Sequence, residues 1–226
     1  LRRSLEETAE FEARKVRPTL RQVVSSLAEN WQIVLLGVML VLMTTVSFYL
    51  ITVYTPTFGK TVLKLSEVDS LVVALCVGLS NFIWLPIMGA VSDRVGRFPI
   101  LALFSLLMLI TAYPALSWLA SAPSFGRMLE VELWFSFLYA SYNGAMVVAL
   151  TEIVPADVRT SGFSLAYSLA TTLGGFSLAI STWLISALND KAAPGLWLSL
   201  AALSGLVASL LIYRTQAARP VGAASA

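Results

Sequence analysis

Neutral hydrogen-bonding side chains occur at intervals inside the long apolar stretches of this sequence. Six of them have a spacing that suits the binding of a polar solute: Thr45, Tyr49, Asn81, Tyr139, Asn143 and Thr172. Hydroxyl and amide groups donate hydrogen bonds to carboxylate or hydroxyl oxygens, so these residues are candidates for a binding site. For a single Thr the alternative, a hydrogen bond between two helices, is the more frequent use.

A second group of candidates lies in the stretch MGAVSDRVGRFP, residues 88–99, which places three charges between two uncharged segments. Asp93 follows the last turn of a predicted helix and can face a basic partner or the positive N-terminal end of another helix. We expect Asp93 to act as a conformational latch, and Arg94 and Arg97 to anchor the turn at lipid headgroups. A loop that only sets membrane topology would explain the two arginines but not the acid.

Two glycines in the same stretch have separate predicted uses. Gly89 lets the backbone of a neighbouring helix come close, as small residues do in membranes. Gly96 suits a left-handed turn between two helices. Their positions therefore predict a tight helical hairpin around the charged turn.

The remaining acids near apolar runs are expected at the membrane surfaces. Glu130 and Glu132 are two residues apart, so they point to different sides of a helix that begins near the external surface, where acids suit the helix dipole. Glu152 can pair with Arg159 across a cytoplasmic turn, as a gate or as a structural staple.

The composition excludes several classes of function. Of the 226 residues, 58% are hydrophobic and 12% are charged, and the net charge of +2 gives no support to a nucleic-acid partner. The chain has no His and one Cys, which excludes an internal disulfide, a His/Cys metal site and a Cys–His catalytic pair. With no intramembrane Asp/Glu pair and no Gly-x-Ser-x-Gly turn, the sequence predicts neither an enzyme nor a cofactor.

Six uncharged runs must position the candidate residues, and the shortest has 19 residues. A bilayer core of about 30 Å needs about 20 helical residues, and backbone groups in lipid must be satisfied within the segment. We therefore predict an all-α membrane protein with six transmembrane helices, at about 31–55, 69–92, 98–119, 128–154, 160–188 and 194–213.

The basic residues predict the orientation of these helices. Eleven Lys and Arg residues fall on one side and four on the other, so both ends of the segment and the turn at 88–99 are expected in the cytoplasm. Residues 1–30 are predicted to be a cytoplasmic loop segment with an amphipathic surface helix, or alternatively a solvated linker. Residues 214–226 are predicted to be a cytoplasmic tail. Because the chain begins with Leu1, we expect it to be part of a longer protein.

The predicted helix ends also give depths in the bilayer. They place one group of polar residues near the bilayer centre: Thr44, Thr45, Asn81, Asn143, Thr171 and Thr172. No Lys, Arg, Asp or Glu is predicted at this level. Because an unpaired charge in a low dielectric is costly, a polyanionic solute bound there would need cationic partners from outside this chain.

Three features of the sequence resemble one transporter family. The segment GAVSDRVGR resembles the signature loop of the major facilitator superfamily, Gly-x-x-x-Asp-[Arg/Lys]-x-Gly-[Arg/Lys]. The stretch LTEIVPADVRTSGFSLAYSLATTLGG, residues 150–175, is similar to the junction of helices ten and eleven in the metabolite–proton symporter branch. The stretches 44–73, 78–97 and 141–166 are similar to the bacterial citrate–proton symporters of that branch.

This resemblance implies that the chain is the C-terminal half of a twelve-helix transporter. It implies proton-coupled uptake of citrate or a related tricarboxylate across the bacterial inner membrane, by alternating access between two halves. The implied partners are a small organic anion, a proton, the lipid bilayer and the missing N-terminal half. The candidates in this chain for the coupling proton are Asp93, Glu130, Glu132 and Glu152. A symporter for another organic acid or an osmolyte is the alternative, and a six-helix channel or scaffold subunit is a more distant one.

Overall fold

The structure of the protein, a computed structural model, describes residue 25, residues 28–154 and residues 159–217. Within these ranges the chain contains no strand, and six helical segments are long and apolar enough to cross a membrane. The prediction of an all-α protein with six transmembrane helices is confirmed. Nearly all of the predicted loop segment 1–30, with its amphipathic helix, and most of the predicted tail 214–226 lie outside the described residues.

The first span is longer than the sequence predicted, because it continues to Val62 instead of ending near Thr55. It consists of helix α1 (Trp31–Phe48), a π-helical segment (Tyr49–Tyr54), an α-helical turn (Thr55–Thr57) and a second π-helical segment (Phe58–Val62). Pro56 lacks a backbone N–H and cannot make the usual helical hydrogen bond. The widened π-helical turns on either side allow the helix to continue past this proline.

The other five spans follow at short intervals. They are α2 (Glu67–Val95), α3 (Arg97–Ser121), α4 (Phe125–Ile153), α5 (Arg159–Gly175) with α6 (Ser177–Leu188), and α7 (Pro194–Ala217). Two of these helices begin with a serine cap: the hydroxyl of Ser66 accepts from the N–H of Asp69, and that of Ser124 accepts from the N–H of Arg127. Each cap satisfies one of the backbone donors that a helix leaves free at its start.

Helices α1 and α4 form the centre of the bundle. Helix α1 packs against α4, α5 and α7, while α4 also packs against α2 and α3, and α3 lies along α7. The fully buried Tyr142 of α4 donates its hydroxyl to the carbonyl oxygen of Leu40 in α1, at 2.9 Å. The bond satisfies a polar group that has no access to water inside the bundle.

Helices α2 and α4 run parallel and come closest at a pair of glycines. A Cβ atom placed on Gly144 would lie 2.9 Å from the backbone nitrogen of Gly89 and 3.0 Å from the carbonyl oxygen of Leu85. Neither distance leaves room for a side chain, so the backbones touch directly, as small residues allow in membranes. This contact fixes the register between the two helices that carry the asparagines.

The fifth span is interrupted between α5 and α6, at Phe176. The two glycines before this break differ in their surroundings. A Cβ atom on Gly174 would lie 2.6 Å from the Cβ atom of Thr45 in α1, whereas one on Gly175 would have no atom within 4 Å. Gly174 therefore permits close packing against α1, and Gly175 lies at the break without a steric constraint.

We expect Gly174→Ala to lower the midpoint of thermal unfolding in detergent, because an added methyl group must displace Thr45. Forcing an extra methyl group into a packed interface costs about 1–3 kcal/mol. Gly175→Ala is the matched control and should leave the midpoint unchanged or slightly higher, since Ala is the better helix former. Equal midpoints for the two variants would contradict this assignment of their roles.

Candidate functional site

The polar residues of α4 form a stripe along one face of the helix. Glu132, Ser136, Tyr139 and Asn143 follow one another at intervals of four, three and four residues, which is the spacing of one helical face. Glu132, Ser136 and Tyr139 are buried, and Asn143 is half-buried. Because α4 lies at the centre of the bundle, this stripe brings several of the predicted residues toward their neighbours on other helices.

Asn81 of α2 is hydrogen-bonded to a residue of this stripe, Ser136. The Ser136 hydroxyl lies 2.8 Å from the side-chain carbonyl oxygen of Asn81 and 3.3 Å from the backbone carbonyl of Val77. A bond from Ser136 to the Asn81 oxygen orients the amide so that its NH₂ group, with two donors, remains for another partner. The sequence predicted Asn81 but not the serine that orients it.

The two asparagines do not lie at the same depth, contrary to the prediction. Ser136 marks the level of Asn81 on α4, and Asn143 lies seven residues further along that helix. At 1.5 Å per residue the separation is roughly 10 Å, with Asn143 nearer the C-terminal ends of α2 and α4. The prediction took the midpoint of each helix as a common level, whereas the contact of Gly89 with Gly144 sets the actual register.

Asn143 has an unsatisfied acceptor. Its side-chain oxygen is buried and has no hydrogen-bond partner among the described residues. A buried carbonyl without a partner costs about 1–3 kcal/mol, so a ligand that donates a hydrogen bond to it would recover that cost. Asn143 stays a predicted binding residue.

Aromatic rings surround the stripe at the level of Tyr139. The ring of Tyr139 lies 6.3 Å from that of Phe48, and the ring of Phe48 meets that of Tyr49 edge-on at 5.7 Å, measured between ring centres. Tyr167 of α5 is also a neighbour of Tyr139. Tyr49 and Tyr139, both predicted to bind substrate, are therefore joined through Phe48.

Thr45 serves helix packing in this structure. Its hydroxyl lies 3.0 Å from the carbonyl oxygen of Ala170 in α5 and 3.2 Å from two carbonyls of its own helix. A hydroxyl has a single proton, and backbone acceptors surround this one. These contacts are those of the interhelical alternative considered for single threonines, and a contact of Thr45 with substrate stays a prediction.

Thr172 lies on the exposed side of α5, next to an open groove. Its hydroxyl donates to the carbonyl oxygen of Ser168, at 2.9 Å. The groove has a volume of about 530 Å³ and is lined by Phe163, Ser164, Tyr167, Ser168 and Thr171. Hydroxyl groups and aromatic rings thus alternate along a surface that is large enough for a small organic molecule.

At the end of the bundle where α2 and α4 finish, Arg97 is the centre of an ion-pair network. Its guanidinium pairs with Asp93, contacts the Glu152 carboxylate through Nε at 3.2 Å, and donates to the Ser92 hydroxyl at 3.1 Å. The network joins the end of α2, the start of α3 and the end of α4. Gly96, with φ +103°, forms the turn that brings the ends of α2 and α3 together.

This arrangement corrects two expectations. Arg97 does not extend to the lipid headgroups: its side chain is only 19% exposed, because two carboxylates draw it between the helix ends. Glu152 pairs with Arg97 and not with Arg159, which is exposed. Arg94 is exposed, as an anchor at the membrane surface would be, and Gly89 lies in the contact between α2 and α4 already described.

Glu132 lies at a position that the sequence analysis did not predict. It was expected at an external helix start, yet it is only 4% exposed, inside the bundle. Its neighbour Glu130 is exposed, as expected. The sequence contained a usable signal, because Glu132 is in phase with Ser136, Tyr139 and Asn143 whereas Glu130 is not.

Among the described residues, no group of three or more His, Cys, Asp or Glu side chains could hold a metal ion.

Comparison with known proteins decides the family. The model of the Major Facilitator Superfamily matches residues 2–177. The chain belongs to the major facilitator superfamily. It is 60% identical over 218 residues to the citrate-proton symporter of Klebsiella pneumoniae, a match that covers 96% of this chain and 49% of the symporter. No solved structure matches the chain.

Two further relatives carry names that include different solutes. The citrate-proton symporter of Salmonella typhi is 56% identical over 214 residues, covering 94% of this chain and 49% of the symporter. A glycine betaine/proline/ectoine/pipecolic acid transporter of Dickeya dadantii is 24% identical over 235 residues, covering 95% of this chain and 45% of the transporter. The chain thus spans about half the length of the curated relatives it matches, and it corresponds to the C-terminal half of the citrate-proton symporters.

Proposed function

We propose that this chain is half of a secondary active transporter that takes up citrate, or a related tricarboxylate, together with protons. The observation that carries the proposal is the 60% identity to a citrate-proton symporter over 96% of the chain. Transport would proceed by alternating access, with the substrate bound between this half and the N-terminal half of the same protein.

The site geometry supports a substrate that is bound by neutral groups on this side. The amide of Asn81, the side-chain oxygen of Asn143 and the hydroxyl of Tyr139 all lie on or beside the α4 stripe. The structure places no cationic side chain among their described contacts. A tricarboxylate needs positive charge when it leaves water, so we propose that the N-terminal half supplies it.

We propose that the protein lies in the inner membrane with both ends of this segment in the cytoplasm. The excess of Lys and Arg at one set of helix ends supports this orientation. It would put the network of Asp93, Arg97 and Glu152 at the cytoplasmic surface and Glu132 in the outer half of the bilayer. Large exposed apolar side chains, such as Phe82 and Trp183, would face lipid or the N-terminal half.

The test of this proposal compares the full-length protein with this 226-residue segment in liposomes. The full-length protein should accumulate citrate when a pH gradient is imposed, acid outside, and a protonophore should abolish the accumulation. The segment alone should insert but should transport nothing, because the substrate cavity needs two halves.

Two results would contradict the proposal. Uptake by the segment alone would favour the six-helix channel. Full-length protein that ignores citrate but accumulates betaine or proline would favour an osmolyte carrier, the alternative suggested by the relative in Dickeya dadantii.

A further inference from the structure

Glu132 is a buried acid without a cationic partner. Its side chain is 4% exposed, and its Oε2 atom has no hydrogen-bond partner among the described residues. Removing a carboxylate from water is costly unless a cation or several donors replace the water. The carboxyl group therefore needs an explanation other than a surface position or an ion pair.

The space beside Glu132 is small and almost entirely apolar. A cavity of about 20 Å³ adjoins the carboxyl group, which is room for about one water molecule. The first span, α3, α4 and α7 contribute its walls: Leu50, Ile51, Tyr54, Phe58, Leu116, Phe135, Pro194 and Leu198. Of these, Tyr54 on the first span is the sole titratable side chain, and α3 and α7 contribute none.

Several other charged groups at this end of the bundle have partners elsewhere, while Lys64 and Lys191 are exposed and Asp69 is half-buried at the start of α2. Lys60 pairs with Glu67 at 2.6 Å, and Arg127 stacks over the ring of Trp118 at 4.6 Å. On the far side, Asp190 accepts from the Tyr113 hydroxyl. None of these described groups provides a counter-charge for Glu132, and Glu130 on the same helix is exposed.

The hydroxyl that faces Glu132 has two backbone acceptors besides the acid. Thr55 lies beside the Glu132 carboxyl group, but its hydroxyl lies 2.8 Å from the carbonyl oxygen of Ile51 and 3.2 Å from that of Leu50. Because a hydroxyl has one proton, the carbonyl groups of Ile51 and Leu50 compete with the acid for it, and when they hold it a lone pair of Thr55 is left for Glu132. Only a carboxyl group that carries a proton can donate a hydrogen bond to that lone pair.

We propose that Glu132 is a proton-binding site of the transport cycle. On loading, one proton from water binds a carboxylate oxygen and forms an O–H bond. On release that bond breaks and the proton returns to water on the other side of the membrane. The proton comes from a hydronium ion, whose O–H bond breaks on loading and forms again on release, so no further reactant is needed. The inference rests on the proposed function, which supplies proton movement as part of the activity.

The position of Glu132 connects the proton to the parts that would move. Thr55 bonds to carbonyl groups of the π-helical segment Tyr49–Tyr54, so the acid touches the least regular part of the first span. Along α4, one turn separates Glu132 from Ser136, which orients Asn81. A change of charge at Glu132 can thus act on the first span and on a predicted binding residue.

The test uses the full-length transporter in liposomes, with the membrane potential held at zero by potassium and valinomycin. Glu132→Gln keeps the shape and a donor group for Thr55 but cannot release a proton. It should retain exchange of internal for external labelled citrate and lose accumulation driven by a pH gradient, so that internal citrate only reaches the external concentration. Glu130→Gln, an exposed acid on the same helix, should behave as wild type in both assays.

An infrared measurement makes the test independent of the substrate. A protonated carboxyl group has its own C=O stretching band, which should grow in the purified wild-type protein as the pH falls. Glu132→Gln should lack that band, and Glu130→Gln should keep it.

Three outcomes are informative. Normal gradient-driven accumulation in Glu132→Gln would overturn the proposal. Loss of both exchange and accumulation, with an unchanged infrared spectrum, would overturn it as well and leave Glu132 a structural residue. If wild type does not exchange citrate, the proposed substrate is wrong, and the infrared comparison still decides whether Glu132 binds the proton.

Discussion

Arg97→Gln in the full-length transporter should lower the rate of citrate uptake about tenfold while the protein still reaches the membrane. The guanidinium of Arg97 joins three helix ends by contacting Asp93, Ser92 and Glu152. Glutamine has no charge, and its two donors are too few for the three contacts that Arg97 makes. The helix ends would then separate more readily, and the balance between the conformations of the cycle would shift.

The size of this effect follows from the partial exposure of the two acids. Hydrogen bonds to charged groups are worth about 1.5–3 kcal/mol, and the lower end applies because Asp93 and Glu152 remain partly solvated. About 1.4 kcal/mol corresponds to a tenfold change in a conformational equilibrium. Uptake by membrane vesicles, normalised to the amount of transporter, measures the change.

Three further variants distinguish loss of the ion-pair network from a general effect of removing charge. Asp93→Asn should be milder than Arg97→Gln, because Arg97 keeps Glu152 and Ser92 as partners. Arg97→Lys should not restore uptake fully, since an ammonium group cannot reach both carboxylates in the geometry of a guanidinium. Arg214→Gln, which removes an exposed charge at the end of α7, is the control and should match wild type. Equal uptake by Arg97→Gln and Arg214→Gln would show that the network has no part in transport.

The architecture of this protein could be predicted because membrane helices have strong, local signals. An uncharged run of sufficient length has few alternatives in a bilayer, so each of the six runs predicted one membrane span. The first span shows the limit of that reasoning. The uncharged run before Lys60 predicted an end near Thr55, but π-helical turns and the pairing of Lys60 with Glu67 allow the helix to continue to Val62.

The candidate site was less predictable because it depends on rotation and register between helices. Arg97 illustrates rotation: an arginine next to a membrane helix normally anchors at the surface, whereas here the carboxylates of Asp93 and Glu152 hold it between the helix ends. Asn81 illustrates register, since one close contact between Gly89 and Gly144 shifts it roughly 10 Å along α4 from Asn143. Neither the rotation nor the register between two helices can be derived from the predicted ends of each helix alone.

Glu132 shows a signal that was present in the sequence and not used. Its proximity to the predicted external end suggested a surface acid, while its phase with Ser136, Tyr139 and Asn143 indicated the buried face. In a helix at the centre of a bundle, phase is the stronger argument, because every residue on the inner face is covered by neighbours along most of its length.

Alanine variants of Asn81 and Asn143 should change the affinity for citrate in different ways. Asn81 presents an amide NH₂ group, because Ser136 lies against its oxygen. Loss of a donor to a carboxylate costs about 1.5–3 kcal/mol, so Asn81→Ala should weaken citrate binding about 10- to 150-fold. Because the donor serves a carboxylate, the loss should be similar for tricarballylate, which is citrate without its hydroxyl group.

Asn143 should accept a hydrogen bond from the hydroxyl group of citrate instead of donating to a carboxylate. Its buried oxygen has no partner among the described residues and can accept only from a donor, which citrate offers through its hydroxyl. A neutral hydrogen bond is worth about 0.5–1.5 kcal/mol. Asn143→Ala should therefore weaken citrate binding by up to about tenfold and leave tricarballylate binding unchanged.

Calorimetry of both ligands with the purified full-length transporter distinguishes binding from packing. The control is Asn189→Gly, which replaces an exposed asparagine outside the spans and suits its left-handed backbone at φ 51°; neither affinity should change. If Asn81 and Asn143 only pack helices together, their alanine variants should unfold at lower temperature with both affinities intact. That result would place the binding site in the N-terminal half, since the hydroxyl-specific loss at Asn143 requires direct contact with the ligand.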